Sequence, residues 1–147
     1  MNRVLLDSDV ILDLILAREP HFQDALDIFR EIATERFEPY ASAIAVLNVH
    51  YFAEKEKDRK FALIEIEKLL SLVRVCTIDE AMLKKALVSP ISDYEDAVQC
   101  AAAVAAGLDG IVTRNTKDYA LSSIPVYSPV EFLQMLNTAV SEENMPE

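Results

Sequence analysis

The chain predicts an α/β fold of three layers, helices on both faces of a central, mostly parallel sheet of four or five strands. Two observations carry this reading. The apolar run Val4-Leu5-Leu6 shows no polar alternation, as expected of a strand covered on both faces. Short apolar runs of this kind then alternate with longer stretches of helical spacing along the whole chain, the pattern of parallel strands joined by helices.

The elements follow in order. Val4 to Leu6 ends at Asp7, and Ser8 or Asp9 can cap a helix beginning near Val10. Glu19-Pro20 restarts the chain, and Phe22, Ala25, Leu26, Phe29, Ile32 and Ala33 give a helix over His21 to Glu35. Glu38 to Ala41 reads as a second strand with Pro39 at its beginning, after which Ser42 caps a third helix. The apolar stripe expected for that helix is Ile44, Leu47 and Tyr51, with the polar Asn48 inside it. The mixed charges of Glu54 to Lys60 mark a solvated helix end, a turn and the next helix start, which Phe61, Ile64, Leu69 and Leu70 would line. Leu72 to Cys76 is the third strand and Asp79 to Leu87 a short helix. Ser92 opens a long helix through Ala106, and Gly107 stands where a glycine ends helices. Gly110 to Thr113 is the fourth strand, and Ile124 to Tyr127 a fifth at an edge, where Pro125 is tolerated. Ser128-Pro129 starts the last helix. The reading is one domain, residues 1–140, and a frayed tail over Ser141 to Glu147.

Composition narrows the function classes. With 147 residues and 52% hydrophobic content the chain can bury a sizeable core. No apolar run approaches a membrane span, and the N-terminal run has no small-residue cleavage site behind it, so neither membrane insertion nor a signal peptide is expected. Cys76 and Cys100 form neither a disulfide framework nor a zinc spacing; buried thiols in a reducing cytoplasm are the expectation. The net charge of −11 argues against a static nucleic-acid binder, which normally shows a basic surface. It does not argue against a metal-dependent nuclease, whose site is acidic and is neutralised locally by its ions.

Three polar clusters map to the carboxyl edge of the proposed sheet, where open α/β folds bind ligands. The first is Asp7 with Asp9 and Asp13 after the first strand. Asp7 and Asp9 serve equally well as helix caps. The second is Ser92-Asp93-Tyr94-Glu95-Asp96. Ser92 with Glu95 fits a capping box, which leaves Asp96, and one turn earlier Asp93, on a face that alanines bring close to the sheet. The third is Thr113-Arg114-Asn115-Thr116-Lys117-Asp118 after the fourth strand, which a polar loop would also explain. Asn48 is either a satisfied core amide or a donor that orients Asp7. His21 and His50 have no partner at ligand spacing. Carboxylates gathered at one edge repel unless a cation joins them.

These blocks resemble a PIN domain, the small ribonuclease fold of bacterial type II toxins of the VapC kind, over about Val4 to Leu136. The marks are Leu5-Leu6-Asp7-Ser8-Asp9-Val10-Ile11-Leu12-Asp13, Asp93-Tyr94-Glu95-Asp96-Ala97 before an alanine-rich helix, and Ile111-Val112-Thr113-Arg114-Asn115-Thr116-Lys117-Asp118-Tyr119. The resemblance implies Mg²⁺- or Mn²⁺-dependent hydrolysis of RNA with no side-chain nucleophile, a small antitoxin partner and a homodimer. It implies catalytic roles for Asp7, Asp93, Asp96 and Asp118, with Asp7, Asp96 and Asp93 on the metal. Asn48, Asn115, Asp9 and Thr113 would support those acids. Apart from the resemblance, the acidic composition leaves Arg114 and Lys117, beside the site, as the candidates to meet RNA phosphates. The chain departs from the family pattern at Asn48, where many members have Glu, at Asn115, where many have Asp, and at Asp9, which replaces Asn.

Two other functions fit parts of the sequence. Asp7-Ser8-Asp9-Val10 also matches the opening of haloacid-dehalogenase-like phosphatases, with Asp7 as covalent nucleophile, although the later acidic cluster precedes Thr113, in the wrong order for them. A PIN-like module that only binds protein or RNA is the other, given the amides at positions 48 and 115. The nuclease reading makes two geometric demands: Asp7 and Asp96 converge, and Asn48 donates to Asp7.

Overall fold

The computed structural model describes residues 2–143. Five strands, β1 (Arg3–Leu6), β2 (Glu38–Ser42), β3 (Arg74–Cys76), β4 (Gly110–Val112) and β5 (Val126–Tyr127), form one sheet in the order β3-β2-β1-β4-β5, and every pairing is parallel. The helices are α1 (Ser8–Ile15), α2 (Phe22–Ala33), α3 (Ala43–Glu56), α4 (Arg59–Leu72), α5 (Glu80–Ala86), α6 (Tyr94–Ala105) and α7 (Pro129–Glu143), with a 3₁₀ turn over Thr116–Tyr119. The three-layer α/β/α expectation holds. Residues 144–147 of the expected tail lie outside the described residues.

The absence of alternation in β1 has the expected cause. Val4 and Leu6 point to one face, into a core with Ile11 of α1, Ile28 of α2, Val49 of α3, Leu69 of α4 and Phe132 of α7. Leu5 points to the other, against Val98 and Ala102 of α6, Ala86 of α5 and Tyr119. All three strand residues are buried. Cys76 and Cys100 are buried free thiols, and burial pushes the Cys76 thiol up to about 11. No helix among the described residues is long and apolar enough to cross a membrane.

Helix starts follow the capping residues. Asp7, rather than Ser8 or Asp9, caps α1, its carboxylate accepting from the Ser8 N–H at 2.7 Å. Ser42 is both the last residue of β2 and the cap of α3, accepting from the Ala45 N–H. Asp58, Asp79 and Asp93 cap α4, α5 and α6 in the same way. The expected capping box of Ser92 and Glu95 does not form, because Asp93 takes the cap and accepts from the Asp96 N–H. At the start of α7 a reciprocal box does form between Ser128 and Glu131. Gly107 follows α6 with φ +69°, the left-handed conformation expected of it.

Three local expectations are corrected. β3 begins at Arg74 because α4 keeps its helical bonds through Leu72. In α4 the inward residues are Ala62 and Leu69, while Ile64 and Leu70 are exposed. In α3 the inward stripe is Ala45, Val49 and Ala53, which let the helix sit close, and the larger Leu47 and Tyr51 are 70% and 58% exposed.

α7 is anchored by Phe132, which is fully buried and meets Phe37 edge-to-face at 4.9 Å. Phe132→Ala is expected to destabilise the fold by about 3–5 kcal/mol in urea unfolding. Leu47→Ala should stay within about 0.5 kcal/mol of the parent; a loss comparable to that of Phe132→Ala would mean that Leu47 is packed.

Candidate functional site

The strand order reverses direction between β1 and β4, so a crevice opens beyond their carboxyl ends. β1 delivers Asp7 there, its N–H donating to the Val112 carbonyl at 2.9 Å and continuing the ladder one residue past the strand. β4 delivers Thr113, whose N–H does the same to Tyr127. The first two turns of α6 add Asp96 and Gln99, and the 3₁₀ turn adds Tyr119.

The Asp7 carboxylate sits among donors from every side. Its Oδ1 accepts from the Ser8 N–H and from Gln99 Nε2 at 3.2 Å. Its Oδ2 accepts from the Thr113 hydroxyl at 2.9 Å and lies 3.3 Å from the Tyr119 hydroxyl. That hydroxyl also lies 3.0 Å from Asp96 Oδ1, so Asp7 and Asp96 converge on one atom, as the nuclease reading demands. Burial and the two flanking carboxylates push the Tyr119 hydroxyl well above the ordinary tyrosine range, so it stays protonated.

Beside this pair lies a second acidic group. Asp9 Oδ2 accepts from the Thr113 hydroxyl, the Arg114 N–H and the Asn115 side chain, at 3.3, 3.1 and 3.3 Å. Asp9 Oδ1 is buried and, among the described residues, has no hydrogen-bond partner. Burial first, and the Asp7 charge second, push its carboxyl up to about 7. Asp13, 1% exposed, is held by both nitrogens of the Arg114 fork, at 2.6 and 3.2 Å. Arg114, expected at RNA phosphates, spends two of its guanidinium nitrogens on neutralising a buried carboxylate. Lys117 is exposed and makes no ion pair among the described residues.

Asp96 is pushed up to about 6, mainly by partial burial and also by Asp93, Asp7 and Asp118, against the lowering effect of the Tyr119 bond. Asp93 and Asp118 thus act on the site through their charge from exposed positions; Asp93 is otherwise the α6 cap. Asn48 does not face Asp7, so the second geometric demand of the nuclease reading is not met. Because α3 turns Ala45 and Val49 inward, Asn48 lies at the flank and donates to Glu95 Oε1 at 2.6 Å. Gln99 and Tyr119 escaped the sequence reading as bonding residues. Gln99 had a signal: it is an isolated amide in an alanine-rich helix, three residues after Asp96 and so on its face. Tyr119 had none beyond its place in the third block.

Among the described residues, no three acidic, histidine or cysteine side chains are clustered so as to hold a metal by themselves. The donors do suit a hard cation of the Mg²⁺ or Mn²⁺ kind, which takes one or two carboxylates and leaves its remaining positions to water and phosphate oxygens. The unpartnered Asp9 Oδ1 and the closely held Asp7 and Asp96 are the features that fit it. A cavity of about 330 Å³ lies between α5 and α6, lined by Ala86, Ile91, Cys100, Val104 and Leu121 among others; no acid lines it.

Comparison with known proteins places the chain by family and fold. The chain is 24% identical over 142 residues to Ribonuclease VapC1 of Aquifex aeolicus, covering 93% of this chain and 97% of that protein. Its fold matches the VapBC2 structure from Rickettsia felis bound to a promoter DNA fragment, with a TM-score of 0.68 at 14% identity, covering 86% of this chain and 98% of that one. It also matches VapC20 of Mycobacterium tuberculosis, a toxin that cleaves the sarcin-ricin loop, with a TM-score of 0.64 at 14% identity, covering 82% and 98% of the two chains. The family model for the PIN domain matches residues 3–117, and the chain belongs to the PIN domain family.

Proposed function

We propose that this protein is an endoribonuclease that hydrolyses RNA phosphodiester bonds with Mg²⁺ or Mn²⁺, and that it is the toxin of a toxin–antitoxin pair. The observation that carries the reading is the convergence of Asp7 and Asp96 on the Tyr119 hydroxyl at the carboxyl edge of the sheet. The Aquifex relative, named a ribonuclease, supports the reaction, and the Rickettsia toxin–antitoxin complex supports a small antitoxin partner. A homodimer and a cytoplasmic location complete the reading. Membership in the PIN domain family displaces the phosphatase alternative.

Asp7 and Asp96 would hold the ion, with Asp9 beside them. When bound, it supplies a water of lowered pKa and neutralises charge on the phosphoryl oxygens. The chain's own part is positional. Ser8, Gln99 and Thr113 fix the Asp7 carboxylate, and the Asn115 N–H donates to the Thr113 hydroxyl at 3.1 Å, which commits that hydroxyl's proton to the carboxylates. Lys117 would meet a phosphate at the rim.

Asp96→Asn should abolish RNA cleavage and weaken Mn²⁺ binding in calorimetry while the fold persists. If the parent binds no Mn²⁺ and cleaves nothing, the amides at positions 48 and 115 mark a binding module instead.

The two surface cations should separate. Lys117→Ala should weaken RNA binding and flatten its salt dependence with stability unchanged. Arg114→Ala should instead destabilise the fold, towards the lower end of about 3–5 kcal/mol because the guanidinium keeps some exposure, by stranding Asp13. Equal effects of both on the salt slope would return Arg114 to the phosphate contacts.

Asp9 makes stability pH-dependent with a definite sign. Its carboxyl is raised to about 7 in the fold, above its unfolded value. The folded state therefore holds the extra proton, and the contribution is complete below the unfolded pKa and lost as pH rises towards 7. The Tm of the parent relative to Asp9→Asn, without divalent ions, should fall between about pH 4 and 7. A difference that is flat or rises with pH would contradict this.

A further inference from the structure

Asp7 and Asp96 are held unequally. Asp7 has donors from Ser8, Gln99 and Thr113 besides Tyr119, whereas Asp96 has no side-chain hydrogen bond other than that to Tyr119 among the described residues. Asp96 is also only half-buried, in the first turn of α6, where charge from Asp93, Asp7 and Asp118 presses on it. An untethered carboxylate there would turn to solvent, away from Asp7.

The direction of the tether is built in. The Ala45 N–H donates to Ser42 Oγ, so the Ser42 proton is free to donate to Gln99 Oε1 at 2.7 Å. Gln99, 3% exposed, is thereby oriented with its NH₂ towards Asp7 and Tyr119, and it donates to the Tyr119 oxygen at 2.7 Å. An oxygen that accepts from an amide spends its single proton elsewhere. The acceptors within reach are the two carboxylates. A backbone N–H at the start of α3 thus fixes, through three side chains, the direction of a proton at the site.

We propose that Tyr119 is a positioning residue, oriented by Gln99, that keeps the Asp96 carboxylate beside Asp7 at the spacing required to receive one divalent cation. This rests on the metal-dependent reading above. The phenol ring, 1% exposed, is gripped by the core, so the hydroxyl is a fixed point rather than a flexible partner. Phenylalanine would fill the same space and remove the hydroxyl alone, with its contacts to Asp96, Asp7 and Gln99.

The test is Mn²⁺ titration calorimetry on the full chain, parent against Tyr119→Phe, with Tm recorded for both. Tyr119→Phe should bind Mn²⁺ roughly 10- to 100-fold more weakly, the range for groups that orient ligands. Its Tm should fall by no more than about 10 °C, the scale of one lost hydrogen bond to charged groups, since Gln99 keeps its bond to Asp7. Gln99→Met, which leaves the hydroxyl but removes its orienting donor, should weaken binding in the same direction. A parent that binds no Mn²⁺ defeats the metal reading and this inference with it. A parent that binds, with Tyr119→Phe binding equally or more tightly, overturns the inference alone. If neither variant folds, the network is a fold element and the inference is lost.

Discussion

The buried carboxylate of Asp7 is the constraint on which the rest depends. A charge taken out of water is tolerated only where hydrogen bonds replace the lost hydration. Here the replacements come from α1, α6, the end of β4 and the 3₁₀ turn, through Ser8, Gln99, Thr113 and Tyr119. Bonds to charged groups each contribute about 1.5–3 kcal/mol, and stranding one partner costs as much again. The elements that close the carboxyl edge of the sheet are therefore tied to one another by the same contacts that orient the acid.

The neighbouring acids are treated differently from one another. Asp13 receives a full counter-charge from Arg114, 101 residues later in the chain, and is settled. Asp9 has hydrogen bonds and only a share of the Arg114 charge, Asp96 a single side-chain hydrogen bond, and burial leaves both carboxyls raised. Structural charges in proteins are normally neutralised outright, as Asp13 is. Leaving two carboxylates short of compensation beside a third is costly for stability. It is what a site that receives a cation requires, since an acid already paired with arginine has nothing to offer a metal.

Much of this was legible in the sequence, and the failures have a common cause. β1 and β4 announced themselves by unbroken apolar runs ending in a polar residue, and that rule alone placed Asp7 and Thr113 at one edge. The α3 stripe was misread because apolar size was taken as a sign of burial; close packing on the sheet selected Ala45, Val49 and Ala53 and left Leu47 and Tyr51 outside. Asn48, assigned by reference to the wrong stripe, went with it. Arg114 looked available because its partner is remote in sequence. Gln99 was hidden by the alanines that make its helix a close neighbour of the sheet. Local periodicity finds elements, but it does not decide between two adjacent helix faces or reveal which long-range partner a charge will find.

The departures from the acidic family pattern acquire a physical sense in this setting. Position 48 carries an amide that donates to Glu95, and position 115 one that donates to Asp9. A carboxylate at either place would be an acceptor facing an acceptor, adding repulsion to a rim where Asp93 and Asp118 already raise the Asp96 pKa. The amides turn that repulsion into two hydrogen bonds and lower the negative charge of the crevice, which the proposed RNA substrate would have to approach in a chain of net charge −11. The trade reduces the number of candidate ligands and places more weight on the geometry of those that remain. Asp7 has that geometry imposed by several donors, whereas Asp96 depends for it on the hydroxyl of Tyr119.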